Sequence, residues 1–353
     1  MSVSVFEDDL LASMFGDELV SQLFSTSSTI ANYICIEIAL TNALRDADII
    51  STDAADAIVA GCNSFHPDLS ALRSAVAIDG IALPAFVLQL REHIGLPHSE
   101  FVHFGATSQD IIDTTLTLSL RDLNAEFSNK FKVLVESIDD LNQQFGTESL
   151  MGRTRMQAAL PISVKDRLQT WAEPLSRLGE KLKVQAVETA VLQFGGAVGT
   201  RHAFGTKGDF IAGHMAKSLG LRNPPNVWHS QRDVLVSYAN WLSSVTGGLG
   251  KMGRDVCLMA QQGIDEISFS TAGGSSTMPH KQNPVLAETL VTLAQFNATQ
   301  LSGMHHALVH EQERSGAAWA LEWMILPQMC VATVSALNNA HALIQSIDGI
   351  GKA

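Results

Sequence analysis

From Ile112 onward the apolar residues recur at steps of three and four: Leu116, Leu120, Leu123, Phe127, Phe131, Leu134, Ile138, Leu141 and Phe145. The spacing predicts one amphipathic helix of about nine turns, roughly 50 Å long. A lone small domain cannot bury so long a stripe, so the chain is confined to folds in which long helices pack side by side. Four more runs share the period. One goes from Val164 through Trp171 to Leu182, with Pro174 as an expected kink, and another from Val234 through Trp241 to Met259. The last two follow Pro284 to about Val309 and span roughly Trp319 to Ile347, the latter interrupted at Pro327. Strand-like alternation is nearly absent, so the fold class is all-α. Residues 1–100 hold shorter helical pieces broken by Ser/Asp clusters and by Gly80, Pro84 and Gly95, which predicts an N-terminal helical domain before a central long-helix bundle at 101–347. Val133, Val135 and Ile138 carry the apolar surface beyond one face, which favours association with copies of the same chain.

The 353 residues are 46% hydrophobic and 17% charged, ample for a large core. A net charge of −13 argues against nucleic acid as a partner. The basic residues nevertheless recur in irregular segments: Arg153, Arg155, Arg201, Lys207, Arg232, Lys281 and Arg314. Singly they read as solvated charges; as a set they suggest a local anion pocket. Cys35, Cys62, Cys257 and Cys330 lie far apart, with neither metal-ligand spacing nor a disulfide framework. Glu7, Asp8 and Asp9 in an N-terminus without basic residues do not fit a secretory signal, and no uncharged apolar run reaches the length of a membrane span. The expectation is a cytoplasmic protein without membrane partners.

Polar segments interrupt the apolar scaffold at helix ends. In His103-Phe104-Gly105-Ala106-Thr107-Ser108-Gln109-Asp110, Thr107 or Ser108 suits an N-cap and Asp110 the first turn. His103 and Gln109 are not explained by capping and suit hydrogen bonds to a carboxylate. In Gly152-Arg153-Thr154-Arg155-Met156-Gln157 two arginines flank a threonine, which reads either as a bidentate carboxylate clamp or as an exposed basic turn. Residues 273–284, Gly-Gly-Ser-Ser-Thr-Met-Pro-His-Lys-Gln-Asn-Pro, put an open serine loop and Lys281 before a helix expected to start with Asn283 as cap and Pro284 in its first turn. Such a loop can serve proton abstraction beside a carboxylate, or it is a plain Gly/Ser connector. Trp228-His229-Ser230-Gln231-Arg232-Asp233 is expected to open a helix with a serine cap, and Glu311-Gln312-Glu313-Arg314 to close one.

The segments GATSQDIIDTT, GRTRMQ and GGSSTMPHKQNP, in that order and each attached to a long helix, resemble the three signature regions of the fumarase/aspartase superfamily. The likeness covers about residues 100–325, and the third segment is the most specific. It implies a homotetramer whose central helices form a twenty-helix bundle, with each active site built from three subunits. Within the superfamily, HFGATSQD, FGGAVGT, WHSQRD and HEQERSGAAWALEW are most similar to the 3-carboxy-cis,cis-muconate cycloisomerases. By motif position the catalytic base falls on Ser275, with Lys281 and Asn283 beside it. Positions that line the site fall on Thr107, Ser108, Arg153, Thr154, Gln157, Gln231 and Arg232, and the candidate set also takes in His103, Gln109, Arg155, Ser276, Met278 and Arg314. Neither a metal nor an organic cofactor is implied.

Two departures sharpen the expectation. Amine-eliminating relatives carry histidine where Arg155 stands, to protonate a poor leaving group. When a muconolactone opens, the leaving group is a carboxylate, with an ordinary pKa of about 4, and needs no general acid. Gly316-Ala317-Ala318-Trp319 also lacks the serine pair and arginine expected beside a nucleotide phosphate. Superfamily members usually carry a third, C-terminal helical domain; this chain ends at Ala353, which implies that the domain is absent and the site more open. The implied reaction is ring closure of a 3-substituted muconate. One carboxylate adds to a double bond, Lys281, Asn283 and the loop amides stabilise the charge that develops, and Ser275 delivers the proton. The alternatives are an amine or ureido lyase releasing fumarate, or a helical scaffold without catalysis.

Overall fold

A computed structural model describes residues 3–271, 273–274, 278 and 281–351. Six helices precede the first long one: α1 (Ala12–Phe15), α2 (Glu18–Leu23), α3 (Thr26–Asp46), α4 (Thr52–Ser64), α5 (Leu69–Asp79) and α6 (Leu83–Ile94). The long helices are α7 (Ser108–Phe145), α8 (Val164–Thr189), α10 (Asp233–Met259), α11 (Val285–Ala307) and α12 (Ala317–Ser346), with the shorter α9 (Gly208–Leu219) between α8 and α10. Each forms where the three-and-four spacing places it. The stripe from Leu120 to Leu141 on α7 is buried against Trp171, Leu175 and Leu178 of α8, Trp241 and Leu242 of α10, and Leu337 and Ala340 of α12. A second core joins α3, α4 and α6 to Ile111 and Leu118 of α7, and it extends to Leu192, Phe194, Phe204 and the α9 residues Ile211 and Met215.

Two expectations are corrected. Proline does not interrupt the last long helix: α12 runs through Pro327, which removes the bond to the carbonyl of Trp323 on the partly exposed side while the remaining turns are held by core packing. The same helix, contrary to the sequence reading, is long and apolar enough to cross a membrane by length and composition; 67% of its most apolar window is buried, and it packs on α7, α10 and α11. Two small antiparallel sheets also appear. β1 (Ser149–Thr154) pairs with β2 (Gln157–Ser163), and β3 (Ile267–Phe269) pairs with β4 (Ile347–Ile350). β3 and β4 are only three and four residues long, and β1 and β2 bury neither face consistently, so no apolar alternation marks them in the sequence.

The helix directions decide where polar residues collect. The chain rises along α7, turns through the β1–β2 hairpin, descends α8, rises along α10, descends α11 and rises again along α12. The starts of α7, α10 and α12 therefore share one end of the bundle. The hairpin, the end of α10, the start of α11 and the β3–β4 pair share the other.

Candidate active site

At the first end, Asp110 and Asp113 stand one turn apart on α7 and are each 1% exposed. Asp110 accepts hydrogen bonds from the Thr107 amide (3.1 Å), the Gly195 amide (2.8 Å) and the Gly196 amide (2.8 Å). It also contacts His229 Nε2 at 2.8 Å. The carboxylate thus closes the first turn of α7 and gathers the Phe194-Gly195-Gly196 loop onto the helix N-terminus, where a negative charge is favoured.

Asp113 is the hub of a second set. Arg232 donates to it from both Nη1 (2.7 Å) and Nη2 (3.1 Å), and donates to Glu322 from Nε (2.9 Å) and Nη2 (2.5 Å). Trp319 Nε1 reaches Asp113 at 3.0 Å, and Gln193 Nε2 at 3.2 Å. The Trp228 ring lies over the guanidinium, 4.9 Å from centroid to Cζ. Burial alone would lower the Arg232 pKa, but the charges of Asp113 and Glu322 hold it above its ordinary value. Its forked donors match two carboxylates at once, which explains why arginine stands here.

Gln109 links this hub to the loop that precedes α12. Its Nε2 donates to Asp113 (3.1 Å) and to the His229 carbonyl (2.8 Å), and its Oε1 accepts from Arg314 Nε (3.1 Å). Arg314 also donates to the Ala197 carbonyl at 3.1 Å and is exposed. His103, with positive φ (59°), donates its amide to Glu37 Oε2 (3.1 Å) and sets Nδ1 2.6 Å from Glu37 Oε1. Burial would lower the pKa of His103; the Glu37 charge and hydrogen bond, with Asp110 beyond, raise it instead. Thr107 and Ser108 are half-buried where α7 starts, and Gln231 is exposed, donating to the Val227 carbonyl at 3.1 Å. The expected cap at Ser230 is not made. Arg232 holds the N-cap position of α10, without a side-chain cap.

At the opposite end, GRTRMQ forms the tip of the β1–β2 hairpin. Thr154 pairs with Gln157, and Arg155 (φ 49°) and Met156 (φ 68°) form a two-residue loop with the doubly positive φ that strand twist favours. Thr154, Arg155 and Gln157 are exposed. Arg153 Nη1 meets the buried Glu266 at 2.5 Å. Arg153, Arg155, Arg167 and Lys251 face a cavity of about 410 Å³. Lys251 is paired with Asp255, so Arg155 and Arg167 carry no ion pair among the described residues.

The serine loop leaves this same end. Gly273 and Asn283 exchange backbone hydrogen bonds at 3.0 and 2.8 Å, pinching the loop at its base. Asn283 Nδ2 donates to the Gly274 carbonyl at 3.4 Å, and Lys281 and Met278 are exposed. Pro284 rather than Asn283 occupies the N-cap position of α11, because Asn283 is committed to the pairing with Gly273. Ser275 and Ser276 lie outside the described residues.

A family profile described as "Lyase" matches residues 9–298. The chain belongs to this lyase family. It is 34% identical over 348 residues to 3-carboxy-cis,cis-muconate cycloisomerase of Acinetobacter baylyi, covering 96% of this chain and 77% of the relative. With the enzyme of that name from Pseudomonas aeruginosa it shares 35% over 333 residues, 92% of this chain and 72% of the relative. The crystal structure of 3-carboxy-cis,cis-muconate lactonizing enzyme from Pseudomonas putida superposes with a TM-score of 0.90 at 34% identity, covering 97% of this chain and 77% of that one. The fumarase/aspartase resemblance and the all-α long-helix fold are thereby established.

For this lyase the geometry separates the signature regions. GATSQD, WHSQRD and Arg314 lie at the start of α7, whereas GRTRMQ and the described residues 273–274 and 281–284 lie at its far end. The 38 residues of α7 put roughly 57 Å between them at about 1.5 Å per residue. No hydrogen bond or ion pair among the described residues joins the two groups. Sequence reasoning passed over Asp113, His229 and Glu322. Asp113 follows Asp110 by three residues on one helix face, and Glu322 is a lone acid in an apolar helix; both are signals of a buried polar network.

Proposed function

We propose that this lyase is a lactonising cycloisomerase acting on 3-carboxy-cis,cis-muconate or a close 3-substituted muconate. Kinship carries the reading: relatives with that activity in their names align along 92–96% of the chain. The hairpin agrees with it, since the tip presents Arg155 where an amine lyase needs an imidazole, and Arg153 stands beside it. Two guanidiniums suit a polyanionic substrate and a carboxylate that attacks or leaves. Lys281, Asn283 and the amides of the 273–284 loop then stabilise charge on the conjugated carboxylate, and Ser275 transfers the proton to the adjacent carbon. Thr107, Ser108, Thr154, Gln157, Gln231, Met278 and Arg314 complete the wall, and Gln109, fully buried, holds Arg314 in place. Arg232, with its donors on Asp113 and Glu322, acts through Gln109 rather than on substrate.

Because the two signature groups sit at opposite ends of one protomer, a complete site requires residues from different copies. A homotetramer with shared sites, its long helices assembled into a twenty-helix bundle, satisfies that requirement.

The test is an ultraviolet assay of the purified protein on muconates that differ only at the 3-position. Loss of the conjugated absorbance, without release of fumarate or ammonia, is the expected result. Fumarate release from an amine or ureido substrate, with all muconates untouched, overturns the proposal.

A further inference from the structure

Between α11 and α12 the chain crosses the first end of the bundle almost entirely in solvent: Leu308, Val309, Glu311, Gln312, Glu313 and Arg314 are exposed. His310 and Ser315 are the exceptions. Ser315 is 0% exposed and accepts from the Ala318 amide at 3.2 Å, as part of the start of α12, whereas the burial of His310 serves no cap. The His310 side chain is 0% exposed, its Nε2 stands 3.5 Å from Glu322 Oε1, and neither ring nitrogen has a hydrogen-bond partner among the described residues. A buried imidazole with both nitrogens unsatisfied is costly, so its place beside Glu322 calls for an explanation. Charge supplies one. Asp113 and Glu322 are two buried carboxylates sharing the single guanidinium of Arg232, which leaves Glu322 as a receptive partner on its His310 side. Four residues further on, Arg314 is tied by Gln109 into the same network.

We propose that His310 is a positioning residue. It docks the 308–316 segment onto Glu322 and thereby fixes where Arg314 stands. The role given to Arg314 rests on the cycloisomerase reading, whereas the docking does not. His310 makes one end of the exposed segment fast and Gln109 the other, with the left-handed Gln312 (φ 49°) bending the chain between them.

The test has two readouts. In His310→Ala, hydrogen–deuterium exchange of peptides covering 308–316 should rise about tenfold while peptides from the middle of α12 stay unchanged. His310→Gln, which returns a donor to Glu322, should restore most of the protection. Unchanged exchange in His310→Ala overturns the docking whatever the substrate. With muconate as substrate, His310→Ala should raise KM about tenfold with kcat little changed, and combined with Arg314→Lys it should add no further loss, since the two act as one unit. A KM effect that multiplies with that of Arg314→Lys overturns the positioning of Arg314. Absence of muconate turnover in the unmutated protein sinks the cycloisomerase reading alone, and the exchange result stands. If His310→Ala does not accumulate folded, His310→Leu, which keeps the packing and removes both ring nitrogens, replaces it in both measurements with the same expected outcomes.

Discussion

Arg232 and Asp113 meet through two parallel hydrogen bonds of 2.7 and 3.1 Å, and neither is more than 1% exposed. The pair belongs to α10 and α7, so it fixes the relative height of two long helices at the end where the GATSQD and WHSQRD segments lie. Its proposed place in function is indirect: Asp113 holds Gln109, and Gln109 holds Arg314.

Replacing Arg232 by methionine should therefore cost far more than a surface charge. It leaves Asp113 and Glu322 buried without a cation and removes the stack on Trp228, a loss of about 3–5 kcal/mol. Denaturant unfolding of the variant checks the size. Adding Asp113→Asn and Glu322→Gln should recover a large part of the loss, since the uncompensated charges are then gone; no recovery would mean that shape, not charge, dominates.

His103 makes stability depend on pH. Its folded-state pKa is raised, because Glu37 outweighs the effect of burial. The stabilisation is then fully present below the unfolded-state value of about 6.5, and it fades as pH rises through the folded-state value. His103→Gln should be less stable than the unmutated protein at pH 6, with the gap narrowing in alkaline buffer. Unfolding curves for both proteins at pH 6 and pH 9 settle the sign; a gap that widens with pH contradicts it.

Gly105 sits at φ +70°, and a Cβ there would lie 2.3 Å from Phe204 Cζ. Gly105→Ala should lose about 2–4 kcal/mol, part from the left-handed backbone and part from overpacking. Phe204→Leu in the same chain should return the packing share and leave the backbone share. A thermal-melt double-mutant cycle reads the coupling.

The long helices were legible because burial of a stripe imposes its period on every turn, so α7 begins and ends close to where Ile112 and Phe145 suggested. Capping chemistry was less legible. The expected serine cap at Ser230 and asparagine cap at Asn283 gave way to Arg232 and Pro284, since tertiary pairing claimed those segments first. The hairpin at Arg155 was hidden because its strands are largely exposed, so burial imposes no alternation on them, and its turn lacks the Asn-Gly signal. Polar loop residues stood out from the apolar background, but Asp113 and Glu322 did not. Their partners are distant in sequence: Arg232 lies 119 residues from Asp113 and 90 from Glu322.

The division of labour between the two ends gives the sharpest functional contrast. Ser275 is proposed to move the proton, and a group that acts only in the transition state contributes to kcat rather than to binding. Ser275→Ala should abolish turnover while leaving affinity for the substrate little changed in equilibrium dialysis. Arg153 instead faces the cavity with Arg155, balanced by Glu266, and is proposed to hold the substrate in ground and transition states alike. Arg153→Ala should chiefly weaken binding, raising KM by roughly tenfold to a hundredfold as one charge-assisted contact of about 1.5–3 kcal/mol is lost. Steady-state kinetics of the two variants side by side separate the roles. Retained turnover in the serine variant would remove Ser275 from the mechanism and leave the arginine assignment to stand or fall by its own KM.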